Sequence, residues 1–199
     1  MLKNRPPLTG NPILVQSSRL LLRRPDEKDL PGFQSIFCDD RMMHYLGGAW
    51  TADQTAAALQ EWHADWGVQH RWHGPLVRKD TLEMVGTAGL SLDTISDEPG
   101  LELSWFVLTG QQGQGFATEI SRVLVGFAFK DLLADRVLAE THPENAGALR
   151  VLAKLGFTCR GERQHQYDFL PGFDTQMLWE LTRAAWLQGS GAALRDDRG

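Results

Sequence analysis

The chain has 199 residues, enough for one domain to bury a core without metal or disulfide staples. Hydrophobic residues make up 42% and charged residues 23%, ordinary globular usage, which argues against both a disordered chain and a disulfide scaffold. The formal net charge of −5 gives no reason to expect nucleic acid or an anionic membrane as partner, and suits a cationic or neutral substrate slightly better.

"MLKNRPPLTGNPILV" has no long apolar core, so no secretory signal is read there. No window approaches eighteen uninterrupted apolar residues, so no membrane span is expected and the default compartment is the cytoplasm. One domain is expected over residues 17–186, between a flexible arm (1–16) and a mobile tail (187–199). "ILVQSSRLLLRRP" reads as a first strand ended by Pro25. In "PDEKDLPGFQSIFCDD", Asp26 is an N-cap and Leu30, Phe33, Ile36 and Phe37 form one helical face. "MMHYLGGAW" is turn-like. Thr51 then caps a second helix, in which Ala56, Leu59, Trp62 and Trp66 recur at spacings of three and four. Two strands follow, joined by a turn near Lys79 and Asp80, and "GLELSWFVL" is another strand.

After a glycine turn, Ile120, Leu124, Phe127 and Ala128 mark the face of a third helix. "DRVLAETH" is a short strand, and "ENAGALRVLAKLGF" is a helix with Gly156 as its C-cap. Two closing strands flank a loop at residues 170–173, the last of them running through "WELTRAAW". The whole is mixed α+β, with a central, mostly antiparallel sheet of about six or seven strands flanked by about four helices. Cys38 and Cys159 are far apart and sit beside apolar residues, so both read as small core fillers. The six histidines form no HExxH or Cys/His quartet, and no metal is expected.

The stretch with the most chemistry is "QQGQGFATE", residues 111–119. A glycine turn opening a helix leaves backbone N–H groups without acceptors and aims a positive dipole end at them, which favours an anion. No Lys-Ser/Thr pair follows Gly115, so the turn is not a nucleotide-hydrolysing P-loop. "GQGFAT" puts Thr118 where a dinucleotide fingerprint needs its third glycine, although Asp135 lies at a suitable distance; that reading stays the weaker rival. A tight turn that only packs helix on strand is the third reading.

Gln112-x-x-Gly115-x-Ala117 resembles the acetyl-CoA pyrophosphate motif, Q/R-x-x-G-x-G/A, of the GNAT superfamily of N-acetyltransferases. "RLLLRRPDEKDL" resembles that family's first strand and helix, "GLELSWFVL" its acyl-CoA-binding strand, and "ETHPENAGALRVLAKLGF" its next strand and helix. The branch it looks most like is the RimJ/RimL type, which acetylates the N-termini of ribosomal proteins. The resemblance implies transfer of acetyl from acetyl-CoA to a primary amine, with no metal. It assigns the pyrophosphate to Gln112, Gly113, Gln114, Gly115, Phe116 and Ala117, with Thr118 at the helix start. It assigns the pantetheine arm to the backbone of Trp105, Phe106 and Val107 and to Asn145, which equally suits an N-cap.

For the base, strand alternation places Glu102 on the face shared by Ser104 and Phe106, and Glu140 is the second candidate. A backbone N–H at Phe106 or Val107 is the implied oxyanion donor. The chain departs from the family where a Ser or Tyr usually protonates the leaving thiolate: Ala148 and Leu152 stand there, leaving Tyr167 or solvent. Tyr45, Trp62, Trp66 and Trp72 fall where the family shapes its acceptor cleft, and an aromatic wall suits a cationic amine or a peptide terminus. For Trp62 and Trp66, helical spacing makes plain core the stronger reading. A homodimer would help to form a peptide cleft. The missing acid keeps a non-catalytic acyl-CoA sensor open as an alternative.

Overall fold

The computed structural model describes residues 12–92, 100–164 and 175–196. The fold is an eight-stranded sheet with helices on both faces. Its strands are β1 (Ile13–Gln16), β2 (Leu20–Arg23), β3 (Trp72–Arg78), β4 (Met84–Leu92), β5 (Leu101–Val107), β6 (Arg136–Thr141), β7 (Thr158–Gln164) and β8 (Thr175–Thr182). Their spatial order is β1-β2-β3-β4-β5-β6-β8-β7. All neighbours run antiparallel except β5 and β6, which are parallel. The helices are α1 (Leu30–Phe37), α2 (Asp40–Met43), α3 (Ala52–Ala64), α4 (Phe116–Lys130), α5 (Ala146–Leu155) and α6 (Arg183–Asp196).

Local signals operate as the residue pattern predicts. Asp26 caps the 3-10 turn leading into α1 and forms a capping box with Asp29. Thr51 and Gln54 make the same box at the start of α3. Each such cap stabilises its helix by about 1 kcal/mol. Phe33, Ile36 and Phe37 are buried together with Met43 and Leu59 on one side of the sheet. On the other side, α4 buries Phe116, Ile120, Leu124 and Ala128 against β5, with Leu152 of α5 joining them. Pleating divides β5 between the two cores: Leu101, Leu103 and Val107 face α4, and Phe106 packs edge-on against Phe37 of α1, 5.3 Å between ring centres.

Several expectations need correction. The first strand is a hairpin, because Ser17 accepts the Leu20 N–H through its side chain and turns the chain between β1 and β2. The strand expected through Trp186 stops at Thr182. The chain then turns into α6, helical as far as Asp196, with the Trp186 ring tilted against Phe129 at 5.2 Å between centres. Cys38 and Cys159 are exposed rather than core fillers. Trp72, 1% exposed, belongs to the core and walls no cleft, whereas Trp66, 2% exposed, is core as its spacing favoured. Trp62 is half-buried among Phe33, Phe37 and Trp50. No helix among the described residues is long and apolar enough to cross a membrane.

Candidate functional site

The parallel junction of β5 and β6 shapes the site. β5 pairs with β4 along its whole length, yet with β6 only at Leu101↔Val137 and Glu102↔Leu138. Beyond Glu102 the two strands diverge, and the edge of β5 from Leu103 to Val107 borders a wedge. That wedge is part of a cleft of about 910 Å³. Its lining includes residues 102–107 of β5, the glycine turn, residues 140–142 of β6 and the first turns of α5. A strand edge without a neighbour offers alternating donors and acceptors to any extended ligand.

At the wide end of the wedge lies the glycine turn. Gly113 and Gly115 have φ of 77° and 82°, left-handed conformations that a side chain disfavours. A Cβ on Gly113 would meet no protein atom within 4 Å, and one on Gly115 would meet only the Arg19 guanidinium at 3.7 Å. The space before the first amides of α4 is therefore clear. Gln112, Gly113, Gly115, Phe116, Ala117 and Thr118 line the cleft, whereas the Gln114 side chain bonds Gln111. Gln112 donates to the Val107 carbonyl at 3.0 Å, tying the turn to the end of β5.

A clamp absent from the sequence reading secures the turn from behind. Glu119, in the first turn of α4, accepts from Ser17 Oγ at 2.6 Å and from Arg19 N and Nε at 3.1 and 2.7 Å. Arg19 also donates to the Gln114 carbonyl at 3.0 Å and lies over the Phe116 ring. Burial alone would raise the Glu119 pKa, but the hydrogen bonds from Ser17 and Arg19 and the arginine's charge outweigh it and hold the carboxyl at about 2. The carboxylate's charge is thereby spent on Arg19 and not on the glycine turn.

Glu102 and Ser104 both border the cleft from β5, on the face shared with Phe106. Glu140 borders it from β6, and its carboxylate is ion-paired with Arg163 of β7, both largely buried. Asn145 lines the cleft while its Oδ1 accepts the Ala148 N–H at 3.1 Å, so it caps α5 as well. Ala148 lines the cleft, and Leu152 is fully buried in the core. Tyr167 lies outside the described residues, as does the loop at 170–173.

Across the wedge, Tyr45 stacks on His142 at 5.0 Å and 19°, and its hydroxyl approaches the Glu144 carbonyl at 3.4 Å. Of Tyr45, Trp62, Trp66 and Trp72, Tyr45 alone lines it. Sequence reasoning also missed Arg41, Arg150, Lys154 and Gln176, which line the cleft. The four-residue spacing of Arg150 and Lys154 on α5 was the available signal. His73, behind Ser104, is half-buried against Trp62, Phe33 and Phe37, and this desolvation with no charge partner lowers its pKa to about 4. Among the described residues, no three potential metal ligands come together.

A splayed β5–β6 pair meeting a glycine-lined helix start is the architecture of a coenzyme-A-dependent acyltransferase. The acetyltransferase (GNAT) domain matches residues 19–158, and the chain belongs to that family. It is 26% identical over 167 residues to the uncharacterized N-acetyltransferase YoaA of Bacillus subtilis, covering 82% of this chain and 94% of that protein. The fold is shared with a spermidine N-acetyltransferase from Vibrio cholerae, solved with CoA and spermine (TM-score 0.70, 16% identity, 85% of this chain and 99% of that one). It is also shared with the ribosomal-protein-S5-alanine acetyltransferase from Vibrio fischeri (TM-score 0.67, 19% identity, 86% and 97%). The protein is therefore an acetyltransferase, of a family whose members use acetyl-CoA.

Proposed function

We propose that this protein transfers the acetyl group of acetyl-CoA to a primary amine borne on a peptide N-terminus or a small polyamine-like molecule, as RimJ/RimL-type enzymes do. The observation that carries the reading is the continuity of one cleft from the glycine turn, along the open edge of β5, to Glu102 and Tyr45. Gly113 through Thr118 hold the pyrophosphate on the α4 amides. Trp105, Phe106 and Val107 pair with the pantetheine arm through their backbone, beside Asn145.

Solvent takes the proton whose loss makes the amine neutral, and Glu102 takes the second as the nitrogen attacks, directly or through one water. The nitrogen attacks the thioester carbon; the C–N bond forms, the C–S bond breaks, and sulfur leaves as thiolate. The N–H of Phe106 or Val107 stabilises the oxyanion between these events. Solvent protonates the thiolate, a good leaving group whose thiol pKa is roughly 8.5. Glu102 and Glu144 place carboxylates on the acceptor side, which favours a cationic amine. The fold shared with enzymes named for spermidine and for the alanine of ribosomal protein S5 supports the same acceptor classes.

An acceptor screen tests this. Purified protein, acetyl-CoA and a panel of polyamines and short peptides with varied N-terminal residues are analysed for thiol release and for a mass gain of one acetyl group. Acetylated product from at least one class is expected; coenzyme binding with no amine acetylated overturns the reading.

A further inference from the structure

Strand register aligns three residues laterally on one face of the sheet: His73 of β3 opposite Gly89 of β4, and Gly89 opposite Ser104 of β5. Only the middle one lacks a side chain. A Cβ at position 89 would collide with the Trp72 carbonyl oxygen and stand 2.9 Å from the His73 Nδ1, so the glycine makes room for the neighbouring backbone and for the imidazole that reaches across β4 towards β5. Ser104 borders the cleft; His73 sits behind it, in the aromatic packing of α1 and α3.

Counting protons fixes the direction of this chain. Thr87 Oγ1 donates its single proton to the Gly74 carbonyl at 2.7 Å. Its 3.0 Å contact with His73 Nε2 therefore has the imidazole as donor. A neutral imidazole carries one N–H, so Nδ1 is bare, and Ser104 Oγ at 3.4 Å is the donor to it. That distance is long for a hydrogen bond; the contact orients the hydroxyl rather than moving its proton. With its hydrogen turned towards His73, the Ser104 oxygen presents lone pairs to the cleft. Ser104 also stands midway between Glu102 and Phe106, roughly 6–7 Å along the strand from each.

We propose that Ser104 orients the acceptor amine by accepting one of its N–H groups, and that His73, held by Thr87, is a positioning residue that keeps the serine hydroxyl in the accepting orientation. This rests on the amine-acetylation reading above. A neutral primary amine has two N–H groups, one for Ser104 and one left for Glu102. A secondary amine has a single N–H and cannot serve both, so the pair favours primary over N-methylated acceptors.

The test uses the full chain, with spermidine and a tetrapeptide bearing N-terminal alanine as probes, each beside its N-methylated counterpart. Ser104→Ala is expected to lower kcat/KM for the primary amine by about 10- to 100-fold, the worth of one lost hydrogen bond in the transition state. It is also expected to shrink the preference over the N-methyl amine, with acetyl-CoA affinity by calorimetry unchanged. Ser104→Thr keeps the hydroxyl and restores most of the loss. His73→Asn keeps an acceptor near the Nδ1 position and retains activity; His73→Gln, whose amide reaches only the Nε2 position, behaves like Ser104→Ala. Both variants remove the same ring, so their difference reads the Nδ1 contact even if packing suffers in both. The proposal is overturned if Ser104→Ala leaves amine kinetics and the methylation preference unchanged while wild type turns over, or if the two His73 variants are alike. If wild-type protein acetylates no probe amine, the amine reading itself falls and takes this one with it.

Discussion

Glu119→Gln isolates the clamp behind the glycine turn. The substitution keeps size and shape but removes the charge that receives Ser17 Oγ, Arg19 N and Arg19 Nε. In the folded protein the carboxyl titrates at about 2, against an ordinary 4.5. At about 1.4 kcal/mol per pH unit the full difference is about 3.5 kcal/mol. The Arg19 side chain is 49% exposed, so solvent screens part of that, leaving about 1–2 kcal/mol. The sign follows from the depressed folded value: the contribution is complete above pH 4.5 and is lost as pH falls from there through 2. Urea unfolding of wild type and Glu119→Gln at a series of pH values measures it. A gap of about 1–2 kcal/mol at neutral pH, closing progressively below pH 4.5, is expected. A variant as stable as wild type at pH 7, or a gap unchanged towards pH 3, would refute the clamp as an electrostatic anchor.

Gly115→Glu places a carboxylate and a Cβ in the cradle, at a φ of 82°, and is expected to weaken acetyl-CoA binding at least about 100-fold, read by calorimetry on protein shown by circular dichroism to be folded. Glu102→Gln should lower kcat by about 100-fold with little change in acetyl-CoA affinity; wild-type turnover across the whole pH range would remove Glu102 as the base. Arg23→Ala strands the buried Asp29, which the arginine grips with two bonds of 2.6 and 2.7 Å, and should cost about 3 kcal/mol in a urea melt.

Much of the element pattern was legible because its signals are local. Positive-φ glycines, the caps Asp26, Thr51 and Asn145, and the three-and-four spacing along α4 all act within a few residues of chain. Alternation along β5 likewise placed Glu102, Ser104 and Phe106 on one face. Such patterns leave open which side of an element meets the core. Helical spacing favoured core for both Trp62 and Trp66 without revealing that Trp66 is sealed while Trp62 is only half-buried, tilted against His73.

The residue sequence by itself therefore determined the mixed α+β class, the glycine turn that opens α4 and the family. Only the tertiary structure decided how distant segments meet: the parting of β5 from β6 beyond Glu102, the hold of Arg163 on Glu140, the closure of Ser17 and Arg19 on Glu119, and the alignment of His73, Gly89 and Ser104 across three strands. The last arises from pairing register, and register is set by the burial of whole strand faces. No residue near His73 in the chain announces that a serine thirty-one positions later will stand beside its Nδ1.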